Sequence, residues 1–276
     1  MAGRGKSWSG ECPMKCTDVV EFLELIAPLE AGIPSDGQTG WKFGDPEQEV
    51  SAIGCTWSPT RGVLLEAARL GINFLITHEP VFFPYYQTPW YRNWPAEEKL
   101  VNRTRRALLE QHDVAVYGFH SPWDVKPGDR VVDSCAAALG FQKVIGGGFA
   151  TKLYEIKEQP VEELAALVKQ RLCTPGVRVV GEPTRKVRRA GLCIGGLGQT
   201  FGAVEELAAL GAEVIVFGEM LEYTFRHGLE LNVAMIEAGH CATETPGIRR
   251  LAQVLGEAFA QVPSHFLDAG SPWTYR

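Results

Sequence analysis

The chain has 276 residues, 45% of them hydrophobic and 22% charged, which is typical of a globular protein with a substantial core. Its formal net charge of −6 argues against a nucleic-acid backbone as the main partner, and no apolar run reaches the roughly 18 residues of a membrane span. The seven cysteines are an odd number and several lie in apolar runs, so we expect reduced thiols in a cytoplasmic protein.

The first segment, residues 1–16, is rich in Gly and Ser. It contains Cys12 and Cys16, but a single pair of cysteines is a weak signal for a metal site, and we predict a flexible tail. The first helix is expected over residues 17–27, where apolar residues recur at helical spacing.

A strand–helix–strand pattern follows. Residues 50–57 predict a strand, residues 60–70 a helix that ends at Gly71, and residues 73–77 a second strand. Since two parallel strands need a crossover of this kind, the order predicts a mostly parallel sheet.

The second of these strands ends in two side chains of the kind that bind metals, His78 and Glu79, and Pro80 closes it. A continuous apolar run suits a strand that is covered on both faces. In open α/β sheets, ligands bind at the carboxyl ends of such strands. We therefore expect a site at this end.

Residues 82–95 combine many aromatic side chains with prolines, which predicts a loop beside the site. The loop either closes over a planar substrate or packs against a neighbouring subunit. Beyond it we expect a helix over residues 96–111, a strand over residues 114–119 and a helix over residues 130–139.

The second half of the sequence repeats the first. Residues 66–79 align without gaps to residues 206–219, and each copy has a helix, a capping glycine, a buried strand and a terminal glutamate. We infer two related α/β halves, residues 17–140 and 150–270, with the site in a cleft between them.

Three predicted strand ends carry metal-type ligands. They are His78 with Glu79, His120 with Asp124, and His240 with Glu244. A lone histidine of this kind is commonly a core or turn residue. Together, however, these imidazoles and carboxylates suit Zn, Mn, Fe, Co or Ni and outnumber the ligands of one tetrahedral zinc. Two metals that share a bridging carboxylate would use them all.

These motifs resemble those of the Nif-three-like family, also called the GTP cyclohydrolase I type 2 homologues. The family pattern is Ile-Thr-His-His-Pro, His-Thr-x-x-Asp and Gly-His-x-x-x-Glu. The matching segments here are residues 76–80, 120–124 and 239–244. Weaker likenesses occur at residues 40–45 and 194–198, and the resemblance covers about residues 17–270.

The resemblance implies a three-layer α/β sandwich, built from two related halves, that assembles as a hexameric ring. It also implies a dinuclear metal centre with ligands at His78, Asp124, His240 and Glu244. Glu79 departs from the family, which has a second histidine there. We expect Glu79 to be a ligand too, and two divalent ions per chain, Mn, Fe or Zn, with a preference moved toward harder ions by the carboxylate.

Two further side chains have candidate catalytic roles. His120 can carry a proton, because imidazole titrates near neutrality, or it can orient Asp124. Glu219, at the repeat position of Glu79, is either a carboxylate of the site or a cap for the next helix. The glycine segment 196–202 is either a phosphate cradle or a tight turn.

The sequence thus predicts a dinuclear metal-dependent hydrolase. Its substrate would be a small molecule with a C–N bond, such as a cyclic amide, an amidine or a purine-like ring, or a phosphoester. The alternative is a metal-binding carrier or regulatory protein without turnover. No nucleic-acid or membrane partner is expected.

Overall fold

The structure is a computed structural model, and it describes residues 13–33, 36–83, 99–126, 128, 131–148 and 151–276. It divides into two compact units, Met1–Trp123 with Leu251–Ala269, and Asp124–Arg250 with Gly270–Arg276. Each unit has a β-sheet with helices, and the predicted α/β fold of two related halves is confirmed. In this division residues 124–140 group with the second unit and residues 251–269 with the first, and the predicted ranges 17–140 and 150–270 stay a prediction.

The elements that the sequence predicts lie close to their predicted places, and the structure adds others. The helices are α1 (Cys16–Ile26), α2 (Arg61–Arg69), α3 (Leu100–Gln111), α4 (Ser121–Val125), α5 (Val131–Leu139), α6 (Val161–Arg171), α7 (Gly202–Ala209), α8 (Glu222–Glu230) and α9 (His240–Ala258). The strands are β1 (Gly40–Phe43), β2 (Ile53–Thr56), β3 (Phe74–Thr77), β4 (Ala115–Gly118), β5 (Lys143–Gly147), β6 (Thr151–Pro160), β7 (Arg178–Val180), β8 (Lys186–Cys193), β9 (Val214–Phe217), β10 (Ala234–Glu237) and β11 (Ser264–Leu267).

The sheet of the first unit has the order β1-β4-β3-β2-β11. The four strands from β4 to β11 are parallel, and β1 pairs antiparallel with β4. Every residue of β2, β3 and β4 is buried, as expected for parallel strands covered on both faces. The sequence did not predict β11, which the chain supplies from the segment after α9.

The sheet of the second unit has the order β5-β6-β8-β9-β10-β7. Its centre, β8-β9-β10, is parallel and corresponds to β2-β3-β4 of the first unit, whereas β5, β6 and β7 join by antiparallel pairing. Strands β9 and β10 are buried throughout. Each unit therefore has the same three-strand parallel centre with different edges.

The repeat extends to the backbone conformation where the two helices end. Gly71 follows α2 with φ of 68°, and Gly211 follows α7 with φ of 89°, a left-handed conformation in which glycine has no Cβ penalty. In both copies the helix then leads directly into a buried strand. The same residue type at the same place thus ends both helices.

At the far end of the repeated strands, the backbone is again the same. The amide of Glu79 donates to the carbonyl of Trp57 at 2.7 Å, and the amide of Glu219 donates to the carbonyl of Gly195 at 2.9 Å. Each glutamate is thereby fixed to the segment that leaves the neighbouring strand. Their backbone positions are equivalent.

The amino-terminal helix starts one residue earlier than predicted. Cys16 is its first residue and is fully buried, and burial raises the pKa of its thiol to about 12. Such a thiol is a core residue and not a reactive one. Cys12 and the rest of the predicted tail up to that residue lie outside the described residues.

The predicted aromatic loop lies mostly outside the described residues, which stop at Phe83 and resume at Lys99. The two residues just before this loop, Pro80 and Val81, are fixed by hydrogen bonds. The buried Arg105 of α3 donates from Nη1 to the carbonyls of Pro80 at 3.1 Å and Val81 at 2.7 Å. The segment that follows Glu79 is therefore anchored to α3.

Over the described parts of the chain, every helix is too short or too polar to span a bilayer.

Gly118, the last residue of β4, is a sensitive position in the first unit. A Cβ there would overlap the carbonyl oxygen of Gln38, which is backbone and cannot rotate away. We expect Gly118→Ala to lower the free energy of unfolding in urea by roughly 1–3 kcal/mol. The control is Gly62→Ala in α2, where the nearest atom to a Cβ is 3.9 Å away and the change should be neutral or stabilising by less than about 1 kcal/mol. Equal stability of the two variants would contradict the close approach.

Candidate functional site

The ends of β3 and β4 bring together three of the predicted site residues. Thr77 lies opposite Gly118 in the parallel register, so the residues that follow these two strands are neighbours. The rings of His78 and His120 have centroids 4.6 Å apart, and His120 Nε2 lies 3.9 Å from Glu79 Oε1. We call His78, Glu79 and His120 the first cluster.

The first cluster can hold a metal ion. One ligand atom from each of its three side chains lies within 4.8 Å of the others. His78 is 1% exposed, and the side chains of Glu79 and His120 are 16% and 19% exposed. Two imidazoles and one carboxylate are a donor set that suits a divalent transition metal, and little water is available to solvate the carboxylate instead.

Asp36, which no sequence motif indicated, lies next to His120 of this cluster. Oδ2 of Asp36 is 3.3 Å from Nδ1 of His120 and accepts hydrogen bonds from Ser121, at 2.6 Å from its hydroxyl and 3.2 Å from its amide. Oδ1 accepts from the amides of Gln38 and Thr39 at 2.9 and 3.0 Å. The side chain of Asp36 is only 8% exposed.

The environment of Asp36 keeps its carboxylate ionised. Burial acts to raise its pKa, but hydrogen bonds from Ser121, Thr39 and Gln38 outweigh burial and hold the pKa of this carboxyl well below its usual range. The sequence around Asp36 predicts only a local turn. Asp followed by Gly favours a turn in which the carboxylate accepts nearby amides, but such a turn does not predict a partner in α4.

Asp124, a predicted metal ligand, lies in the short helix α4. It is half-buried, and the helix starts where the amide of Trp123 donates to the carbonyl of His120 at 2.9 Å. The chain is divided between the two units at this helix, and Asp124 is grouped with the second unit. Its role as a ligand stays a prediction.

The second unit gathers the other predicted residues. His240 begins α9, and its Nε2 lies 3.1 Å from Oε2 of Glu244, one turn further along the same helix face. Its Nδ1 lies 3.2 Å from Oε1 of Glu219. We call Glu219, His240 and Glu244 the second cluster.

The second cluster is partly buried and anionic. The side chains of Glu244, His240 and Glu219 are 9%, 20% and 38% exposed. The imidazole of His240 holds the pKa of the Glu219 carboxyl below its usual range, against the raising effect of burial. Glu219 therefore faces the cluster, and its side chain makes no cap for α8, which Leu221 precedes.

The glycine segment between β8 and α7 lies against these carboxylates. Gly195 has φ of 63°, and a Cβ there would overlap Oε1 of Glu244. A Cβ on Gly198 would lie 2.5 Å from the carbonyl oxygen of Glu219. The segment is a tight turn in which Gly195 leaves room for the Glu244 side chain and Gly198 for the backbone of Glu219, and a phosphate there would meet the Glu244 carboxylate. This favours the turn over the phosphate cradle.

The shared spacing of His120 with Asp124 and His240 with Glu244 does not reflect equivalent positions. In the two registers, Thr77 pairs with Gly118 and Phe217 pairs with Glu237. His120 therefore comes two residues after its strand pairing and precedes α4, whereas His240 comes three residues after and begins α9. The repeat places Ser121, not His120, at the position of His240.

Strand ends that present imidazole and carboxylate groups place this chain among the α/β proteins whose ligand sites lie at the carboxyl ends of their strands. Comparison with known proteins narrows that class to one family. The family model described as Duf34/NIF3 (NGG1p interacting factor 3) matches residues 14–271, so the chain belongs to this family.

Relatives agree with this assignment over nearly the whole chain. A protein of Escherichia coli K12 named GTP cyclohydrolase 1 type 2 homolog is 29% identical over 264 residues, which cover 94% of this chain and 100% of the relative. A protein of the same name from Neisseria meningitidis serogroup A is 30% identical over 232 residues, with 81% and 86% covered. The solved structure of protein ybgI, described as of unknown function, has a TM-score of 0.79 and 28% identity, with 94% and 100% covered.

Gly195→Ala tests whether the glycine turn makes room for a cation ligand. The substitution should displace the Glu244 carboxylate and add about 1–2 kcal/mol of backbone strain, leaving the protein folded. We expect Zn²⁺ affinity, measured by competition with a chromogenic chelator, to fall by about 10–100-fold, as for changes next to metal ligands.

The matched control for this substitution is Gly196→Ala. Gly196 has φ of −85°, and a Cβ there would lie 3.5 Å from Glu219 and from His240, which is ordinary contact. Zn²⁺ affinity should change little in this variant. A similar loss in both variants would show that the effect is general to the turn and not specific to Glu244.

Proposed function

We propose that this protein is a dinuclear metal-dependent hydrolase of a small molecule, with a C–N bond or a phosphoester as the bond that is cleaved. The observation that carries the proposal is the first cluster, in which His78 and Glu79 offer ligand atoms and a ring nitrogen of His120, the proposed proton carrier, lies within 4.8 Å of both in largely buried surroundings. The relatives named GTP cyclohydrolase 1 type 2 homolog support a ring C–N bond in a purine-like substrate.

Two divalent ions are proposed per chain. The proposed ligands are His78, Glu79, Asp124, His240 and Glu244. When bound, such a pair of ions lowers the pKa of water and polarises the electrophilic carbon or phosphorus. The donor chemistry fits, since imidazole and carboxylate groups together suit Mn, Fe and Zn.

The other side chains handle protons and orientation. His120 has one ring nitrogen toward Glu79 and the other at Asp36, so it can take a proton on the side of the cluster without moving. Glu219 is ionised beside His240 and offers a carboxylate that accepts a hydrogen bond from a substrate N–H or O–H. Assembly as a hexameric ring stays a prediction from the family resemblance.

The deciding experiment is turnover by the metal-loaded protein. The protein, purified with Mn²⁺, Fe²⁺ or Zn²⁺, would be incubated with GTP, a cyclic amide and bis(p-nitrophenyl) phosphate. We expect hydrolysis of at least one of these probes, and its loss in His78→Ala and Glu244→Gln with the fold retained. Absence of turnover with every metal, together with reversible metal exchange, would favour the carrier.

A surface variant controls for handling and stability in that assay. Glu222 lies at the start of α8 and is 76% exposed, paired with Arg226 on the same helix. Exposed pairs of this kind contribute little, about 0.3–0.5 kcal/mol. Glu222→Gln should therefore keep full turnover. A loss as large as that of Glu244→Gln would remove the assignment of Glu244 to the site.

Glu79 should set the metal preference. A carboxylate is a harder donor than imidazole, so Glu79→His should raise binding of Zn²⁺ relative to Mn²⁺ in a competition measured by elemental analysis. Glu79→Gln removes the negative charge and keeps the shape of the side chain, so it should weaken the binding of both ions. One zinc per chain in the purified wild-type protein would contradict the proposed pair of ions.

A further inference from the structure

The imidazole of His120 lies between two carboxylates, those of Asp36 and Glu79. Its two ring nitrogens have different partners, with Asp36 Oδ2 at 3.3 Å from Nδ1 and Glu79 Oε1 at 3.9 Å from Nε2. The two carboxylates differ in their surroundings. Asp36 is tied into a network of donors, and Glu79 belongs to the first cluster.

The Asp36 carboxylate has fixed oxygen positions. Oδ1 accepts from two backbone amides, those of Gln38 and Thr39. Oδ2 accepts from the hydroxyl of Thr39 at 2.9 Å and from the amide and hydroxyl of Ser121. Each of these partners is a donor, so the carboxylate cannot rotate without losing several hydrogen bonds.

The location of the proton on His120 follows from this arrangement. An ionised carboxylate accepts hydrogen bonds but cannot donate one. A hydrogen bond between Asp36 Oδ2 and His120 Nδ1 therefore requires that Nδ1 carries the hydrogen. The ring is thereby oriented with Nε2 on the side of Glu79.

We propose that Asp36 is a positioning residue, which keeps a hydrogen on Nδ1 of His120 and thereby orients the imidazole with Nε2 toward Glu79. The inference rests on the proposed function, because it explains how His120 accepts a proton on the side of the cluster. Asp36 itself touches neither substrate nor cation in this scheme. It acts only through the imidazole.

The network also predicts the effect of an amide at this position. In Asp36→Asn, the side-chain oxygen stays with the two amides of Gln38 and Thr39. On the other side only the Ser121 amide loses its acceptor, because the hydroxyls of Thr39 and Ser121 can rotate to accept from an NH₂ group. The NH₂ group then occupies the place of Oδ2 and donates to Nδ1 of His120. The imidazole must switch to the Nε2–H tautomer, which has no lone pair toward Glu79.

The test reads the tautomer directly and needs no substrate. Long-range ¹H–¹⁵N spectra of metal-free protein labelled at histidine nitrogen would be recorded near pH 8. Comparison with His120→Gln assigns the signals of His120. We expect a hydrogen on Nδ1 in the wild type and the Nε2–H pattern in Asp36→Asn. A wild-type His120 whose Nδ1 carries no hydrogen would overturn the inference, whether or not any variant folds.

Ser121→Ala is the matched control. It removes the hydroxyl that donates to Asp36 Oδ2 at 2.6 Å and accepts from the amide of Ile33 at 2.8 Å, while it keeps the carboxylate and the imidazole. This variant should lose stability and keep the Nδ1–H tautomer. A tautomer switch as complete as that in Asp36→Asn would mean that general loosening is the cause, and it would overturn the inference.

The same proteins separate this inference from the proposed function. Should a probe be hydrolysed, kcat should fall by about 10²–10⁴-fold in Asp36→Asn and by less in Ser121→Ala. A tautomer switch in a protein that hydrolyses no probe would reject the hydrolase and leave the role of Asp36 standing. Turnover with an unchanged tautomer in Asp36→Asn would reject the role of Asp36 alone.

Discussion

The parallel pairing of β3 with β4, which sets Thr77 opposite Gly118, is the constraint on which the first cluster depends. Backbone hydrogen bonds fix the register, and both strands are buried along their whole length. The residues after them therefore cannot move apart without breaking the sheet. His78, Glu79 and His120 owe their proximity to the backbone, and the side chains add only the chemistry.

The two units show how one backbone plan can carry two different donor sets. The helix, the left-handed glycine and the buried strand recur, and Glu79 and Glu219 occupy equivalent positions. Beyond the strands the copies diverge, because His240 is part of a helix and His120 is not. One unit therefore orients its imidazole through Asp36, while the other places His240 between two glutamates of its own.

Much of the fold and part of the site could be predicted from local sequence pattern. Continuous apolar runs that end at His78 and at His120 gave the buried strands, and the gapless repeat gave two related halves. Contacts between distant residues could not be predicted in this way. Asp36 meets Ser121 across 85 positions, and nothing near it in the sequence names that partner. Likewise, β11 joins the first sheet through a pairing that only the folded chain defines.

The anchoring of Pro80 and Val81 by Arg105 separates the first cluster mechanically from the chain that follows it. Arg105 is buried, and its guanidinium also lies 4.5 Å from the centre of the Phe83 ring. A displacement passed along the backbone from beyond Phe83 meets this anchor before it reaches Glu79. We therefore expect substitutions beyond Phe83 to leave the positions of His78 and Glu79 unchanged.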